Sequence, residues 1–571
     1  MARMISMATR QRLVLLLVLG AVAILPFGLM QAADSPVAKA AENGDIAAVR
    51  TLIRSRADVN LPAQDGSTAL LWAAYNSDVA MAQALLTAGA NVNAANRYGV
   101  TPLLQASRTG DVVMMETLLK AGADPKQRHP EGETALMAAA RTGKMDAVRV
   151  LLSRGLDVNA ADGFQRQTAL MWAASDGHVD VVKALMEAGA LPNIKAHLTT
   201  LTERSHADHP TGGFTALMFA ARNGHEAVVR ELMTNPATNP NMTNGDGATA
   251  MMIAIMNDRF DLASKMLDWG ADANDGSLYF AVDMHDVTTD ARARDGSLLR
   301  ANHANQLTAL DMIKVLLDKG ADPNKVFQGT LHSVSMGTGD THNGTPFYRA
   351  ATASDVEALK LMVAKGADLE QTPPAAPAGG RGGGANAGRT PIMAAMVGGR
   401  GYAFGGGPGF GRIGPPPFRE PSNRTPADAL KVLLDAGANP NAATPDGLTI
   451  VHQAAAAGSL EMIRALAGKG AKLDTPNKDD LTALDIAEGK TAANAPPARA
   501  GGAAAAAPAP AGGRGAASKY EVAKLLRELM GLPPSTEPPP APAPATPLTP
   551  EEQAVADANA AAAAAAQFGN N

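Results

Sequence analysis

The residues with the plainest capacity for chemistry are histidines. His206-Ala207-Asp208-His209 places two imidazoles and a carboxylate within four residues, a donor set suited to zinc or copper. His197, His303, His332 and His342 fall in similar stretches. None of these stretches has the apolar periodicity of an element that would fix ligand geometry, so solvated loops are expected and no metal is assigned. Catalytic signatures are missing. The chain has no Walker A sequence, no Gly-x-Ser-x-Gly elbow and no His-Glu-x-x-His, since His225-Glu226 lacks the second histidine. The cluster Gly405–Gly411 follows no apolar strand and cannot be read as a phosphate cradle. Arg381-Gly382-Gly383 and Arg400-Gly401-Tyr402 match RNA-binding Arg-Gly segments in composition only. No catalytic residue and no cofactor is assigned. The sharper pattern is arginine: Arg108, Arg141 and Arg222 each lie seven residues after a threonine, Thr101, Thr134 and Thr215.

That spacing belongs to a repeat. A unit of about 33 residues recurs from Val37 to Met530. Thr-Ala/Pro-Leu returns at Thr68, Thr101, Thr134 and Thr168, and Gly-Ala-Asp/Asn at Gly89, Gly122, Gly270, Gly320, Gly366 and Gly437. Asp-Gly opens a tight turn, and the threonine can cap a short first helix that tolerates Pro102 in its first turn. Gly110, Gly143, Gly177 and Gly224 end that helix. A second helix follows, as at Val179–Met186, with positions 179, 182, 185 and 186 on one apolar face. No unit can bury that face alone, so neighbours must stack. Alanines such as Ala138, Ala139 and Ala140 allow close helix approach and suit a chain with only 4% aromatic residues.

The Asp-Gly-x-Thr-Pro-Leu…Ala-Ala…Gly-His…Val-Val…Leu-Leu…Gly-Ala-Asp-x-Asn pattern resembles ankyrin repeats, best in Gly163–Asn193 and Gly213–Asn241. The resemblance implies an all-α solenoid of stacked helix-turn-helix units carrying β-hairpin fingers. It also implies that the arginine position and the fingertips line a concave face used for partners. The candidate partner-binding residues are Arg97, Tyr98, Arg108, Arg128, Arg141, Phe164, Arg166 and Arg222, with Tyr75, His129, Ser175 and Asp176 beside them. Arginine and tyrosine are frequent interface anchors. Trp72 and Trp172 occupy equivalent places, where packing between repeats is expected. The family's Thr-Pro-Leu-His is mostly Thr-Ala-Leu-Met or Thr-Ala-Leu-Leu here, with the histidine kept at His452. Local stability should therefore lean more on apolar packing.

Along the chain, residues 1–33 read as a signal peptide or signal anchor. Repeats occupy 37–369, with insertions at about 194–212, 287–306 and 325–343. A Gly/Pro-rich linker (371–388) precedes a second block at 389–490, itself interrupted at about 398–425. An Ala/Gly/Pro insertion (491–517), a final helix (518–531) and a Pro/Ala-rich tail (532–571) complete the chain. The insertion compositions predict flexible connectors, and the tail is expected to be disordered.

The formal charge of −5 gives no nucleic-acid footprint. The absence of cysteine excludes disulfides, thiolate catalysis and an acylated N-terminal cysteine. Arg3, Arg10 and Arg12 precede the apolar run Leu13–Met30, interrupted only by Pro26, with small residues at Ala32 and Ala33. With the linker composition, this points to a bacterial exported protein, periplasmic or extracellular. An uncleaved anchor in the inner membrane is the alternative, and the only membrane contact expected. The functional expectation is a monomeric, non-enzymatic scaffold for an acidic protein partner. The alternatives are a metal-binding or enzyme-accessory envelope protein and an exported effector acting on host proteins. Cell fractionation with N-terminal sequencing tests export: a terminus beginning near Asp34 outside the cytoplasm is expected, and an intact Met1 terminus in the cytoplasm would rule it out.

Overall fold

The computed structural model describes residues 35–198, 212–285, 305–327, 344–373, 388–397, 425–490 and 518–534. The export segment, most of each insertion, the tail, and His206, His209, His303, His332 and His342 lie outside the described residues. Two compact units are formed, Met1–Gly437 and Ala438–Asn571.

Threonine sets the start of each first helix. Its hydroxyl accepts the backbone N–H three residues on, at 3.3 Å for Thr68, 3.1 Å for Thr101 and 3.2 Å for Thr134. Helices Ala69–Tyr75, Pro102–Thr109, Ala135–Thr142, Ala169–Ser175, Ala216–Asn223 and Ala250–Met256 follow such caps. Each is paired with a second helix: Val79–Thr87, Val112–Lys120, Met145–Leu152, Val179–Glu187, Glu226–Thr234 and Phe260–Asp268. Of the later pairs Pro346–Thr352 with Val356–Ala364 is continuous and others are split. Ser277–His285 packs on Ala309–Asp318, and Pro391–Val397 on Pro426–Ala436, with undescribed chain between the partners. The second unit holds Ile450–Ala456 with Leu460–Gly468, and Ala483–Ala487 with Lys519–Leu529. First helices pack on first helices, so the alanines at 138, 139 and 140 are all buried. Leu85, Met114, Leu118 and Leu151 of the second helices close the core from behind.

Two kinds of rung join the repeats. The first is an asparagine. Asn93 donates to Gly122 O and accepts from Asp124 N, across to the end of the next second helix. Asn60, Asn159, Asn193, Asn274 and Asn324 repeat the same two bonds. The second rung is basic. Lys144, His178, His225 and Arg259 stand at the N-cap of their own helices yet make no side-chain cap there. Each reaches back to a carbonyl at the end of the preceding first helix: Thr109 O, Arg141 O, Ser175 O and Asn223 O, at 2.7–3.0 Å. A donor at that helix end meets an otherwise unpaired carbonyl and the negative end of the helix dipole. The side chain crosses directly over the terminating glycine. A Cβ on Gly143 (φ 72) would lie 2.5 Å from His178 Nδ1, and one on Gly177 2.7 Å from His225 Nδ1. Here glycine is required by space as well as by conformation.

The β-hairpin fingers implied by the resemblance are not formed, which corrects that part of the expected fold. Among the described residues there are no strands, only isolated bridges such as Ala161 with Thr168. Each finger closes on a short loop, with Asn96 N donating to Val100 O and His129 N to Glu133 O. The N–H groups a ladder would use are taken by the finger's own side chains. Asn96 Oδ1 accepts from Tyr98 N and Val100 N, and Asp162 accepts from Phe164, Gln165 and Gln167. Neighbouring fingers share single bonds, Arg97 N to Asp65 O and Gly163 N to Glu131 O.

Lys126 stands where the adjacent repeats carry Asn93 and Asn159. Among the described residues its side chain makes no bond to the next repeat. Lys126→Asn should restore both hydrogen bonds, to Gly155 O and from Asp157 N, each contributing roughly 1 kcal/mol. Hydrogen exchange at the Asp157 amide should slow in the variant, whereas Asn93→Ala should speed exchange at Asp124.

Candidate binding face

The helix-row arginines stand where the first helices end, each set by the threonine that starts its helix. Arg108 Nη2 meets Glu133 Oε2 of the next repeat at 2.5 Å. Arg141 lies over the Trp172 ring, 4.8 Å from its centroid, with Asp176 Oδ2 at 3.9 Å from Nε. Arg222 packs against Phe214 and Phe219, at 5.5 and 5.3 Å, and burial holds its guanidinium below the usual arginine range. The row therefore changes character along its length, from ion pair to ring contact to half-buried packing.

The finger residues differ. Arg97, Arg128 and Arg166 are exposed and form no ion pair among the described residues. Tyr98 and Phe164 are 67% and 74% exposed. Arg166 is held at φ 53, a left-handed conformation that side chains rarely adopt. Three bonds from backbone N–H groups to Asp162 fix the loop around it.

Between the two groups lies a cavity of about 610 Å³. Its wall includes Arg108, Glu133, Ala138, Arg141, Phe164 and Trp172, with Glu131 and Asp162 at the finger side. It thus brings Arg108, Arg141 and Phe164 together, and leaves Arg97, Tyr98, Arg128, Arg166 and Arg222 off its wall. The sequence reading missed the carboxylates Glu131, Glu133 and Asp162; their place in or beside the Asp-Gly turn, one repeat after each arginine, was the available signal. It also missed the buried pair Arg349–Asp283, where Nη2 and Oδ1 lie 2.6 Å apart, beside His285 on Asp355 at 2.6 Å. Arg349 follows Thr345 by four, the place of Trp72 and Trp172 in their repeats. Among the described residues no group of three His, Cys, Asp or Glu is placed to hold a metal ion. No described helix is long and apolar enough to cross a membrane.

Because Arg222 packs on two rings, Arg222→Ala should lower stability by roughly 1 kcal/mol. Arg108→Ala removes a partly exposed ion pair at the surface and should cost about 0.5 kcal/mol. Denaturant unfolding of the two variants checks the difference; equal effects would remove the packing role of Arg222.

Comparison with known proteins agrees with this architecture. A family model described as ankyrin repeats (3 copies) matches residues 37–129, 114–196, 197–277 and 422–493. Among curated proteins no match was found. The family matches span more than half of the sequence and include the helix-row arginines Arg108, Arg141 and Arg222 and the finger arginines Arg97, Arg128 and Arg166. The chain belongs to the ankyrin repeat family, a non-catalytic protein-interaction fold.

Proposed function

We propose that the protein is a non-enzymatic scaffold, exported from a bacterial cell, that holds a protein partner against the face made by its first-helix ends and fingers. The observation that carries this reading is the set of exposed arginines without ion pairs, Arg97, Arg128 and Arg166, beside exposed Tyr98 and Phe164. Arginine and aromatic side chains supply much of the energy at protein interfaces, and exposing them on rigid turns lowers the ordering cost of binding. Acidic side chains of the partner pair with these three guanidinium groups through charge-assisted hydrogen bonds. Arg108 and Arg141 already have carboxylate neighbours, so they form a floor more than a set of free charges. Export rests on the basic start and the apolar run Leu13–Met30, and places the scaffold in the periplasm or outside the cell, or on an inner-membrane anchor.

The test starts from the full exported chain as bait and a partner verified with purified components. The triple Arg97→Ala, Arg128→Ala, Arg166→Ala should weaken that binding by roughly tenfold or more. The triple Arg108→Ala, Arg141→Ala, Arg222→Ala should weaken it by a smaller factor. Unchanged affinity in both triples would remove this face from the function.

A further inference from the structure

The cavity beside Arg141 has a sign and a shape that the arginine row conceals. Two cations, Arg108 and Arg141, stand on or beside it with four carboxylates, Glu131, Glu133, Asp162 and Asp176. Glu133 neutralises Arg108 at 2.5 Å, and Asp176 stands 3.9 Å from Arg141. Asp162 accepts from three backbone N–H groups of its own loop and forms no ion pair among the described residues. Glu131 is exposed and forms no ion pair among the described residues. On the cavity wall itself the uncompensated charges are therefore those of Glu131 and Asp162, since the finger arginines Arg128 and Arg166 do not line it. Its aromatic surfaces are Phe164, 74% exposed, on the finger, and the Arg141–Trp172 stack on the helix side.

We propose that this cavity is the anchor site for one aromatic side chain of the partner, entering between Phe164 and the Arg141–Trp172 stack, with a neighbouring lysine or arginine of the same segment directed to Glu131. The inference rests on the scaffold reading above and names the partner chemistry at one point on its face. An aromatic ring gains apolar burial against Phe164 and a cation–π contact with Arg141. A volume of about 610 Å³ admits a ring with its flanking backbone and leaves room for the adjacent basic stem. A polyanion is disfavoured by Glu131 and Asp162, so nucleic acid is not the occupant.

The test uses the full chain with Trp72→Phe and Trp269→Phe, which leaves Trp172 as the single indole of the three. Its emission is followed while blocked hexapeptides centred on Lys-Phe-Lys, Lys-Ala-Lys or Glu-Phe-Glu are added. Lys-Phe-Lys should bind roughly tenfold more tightly than either other peptide. Phe164→Ala and Glu131→Gln should each erode that preference, with an unchanged helical signal because both side chains are exposed. Equal binding of the Phe and Ala peptides overturns the aromatic anchor. Equal or tighter binding of Glu-Phe-Glu, or of an oligophosphate, overturns the charge assignment, and no emission change with any peptide overturns the site. A verified partner that requires Arg97, Arg128 and Arg166 but is indifferent to Phe164→Ala removes this cavity and leaves the scaffold standing. A partner indifferent to both arginine triples removes the scaffold face itself.

Discussion

The structure depends on one recurring constraint: short helices leave many backbone groups unpaired, and each repeat must meet those of its neighbour. A helix of seven or eight residues has nearly as many free terminal carbonyls as internal hydrogen bonds. Lys144, His178, His225 and Arg259 answer that need at the ends of the first helices, and the asparagines bridge repeats just past the ends of the second. The arrangement also decides protonation. His178 Nε2 and His225 Nε2 face carbonyl oxygens, which only accept, so each nitrogen carries its proton. Stacking is thus more than apolar burial. The glycine under each basic side chain, the basic side chain itself and the carbonyl it reaches form one unit spread over two repeats.

This explains which parts of the fold were legible in the sequence. Threonine caps and terminating glycines act locally, so Thr101 and Gly110 disclose a helix start and end without reference to any neighbour. The basic rungs do not. His178 looks like a solvated turn residue until Gly143 and Arg141 O are placed beneath it, about 37 positions back in the chain. The expectation that losing the family histidine shifts stability to apolar packing was incomplete for a similar reason. At Thr308 and Thr482 an aspartate takes that place, with Asp311 Oδ2 and Asp485 Oδ2 each accepting from the threonine N–H and hydroxyl. Those bonds hold the Asp311 carboxyl down at about 2. His452 keeps the older arrangement, accepting from Thr449 N at Nδ1 and donating to Leu481 O at Nε2.

The fingers show where resemblance over-reads. A hairpin ladder and a side-chain-capped turn compete for the same backbone N–H groups. Asn96 and Asp162 win that competition because their oxygens are already within reach, whereas a ladder partner would have to be supplied by limbs too short to extend it. The result is a row of turns joined by single bonds rather than a sheet. That has a functional consequence. Turns held by their own side chains are rigid individually, so Tyr98, Phe164 and Arg166 are each fixed in place without a strand behind them.

Candidate residues for binding were legible by type but not by state. Arginine at a fixed step from threonine recurs at the ends of first helices, yet identical positions meet different surroundings: a carboxylate at Arg108, an indole at Arg141 and two phenyl rings at Arg222. Each neighbour comes from another part of the repeat, one unit away or across the same unit, so no linear pattern announces it. The same logic buries Arg349. At the place where two other repeats carry tryptophan, its guanidinium is 1% exposed and spends its hydrogen bonds on Asp283. Truncating one partner of such a buried pair strands a charge and is strongly destabilising, whereas an exposed pair is nearly neutral. Charge type alone therefore cannot sort a structural arginine from a recognising one in this stack. What sorts them is whether a carboxylate or ring has already taken the guanidinium, and of the candidate arginines those left without one among the described residues are Arg97, Arg128 and Arg166 of the fingers.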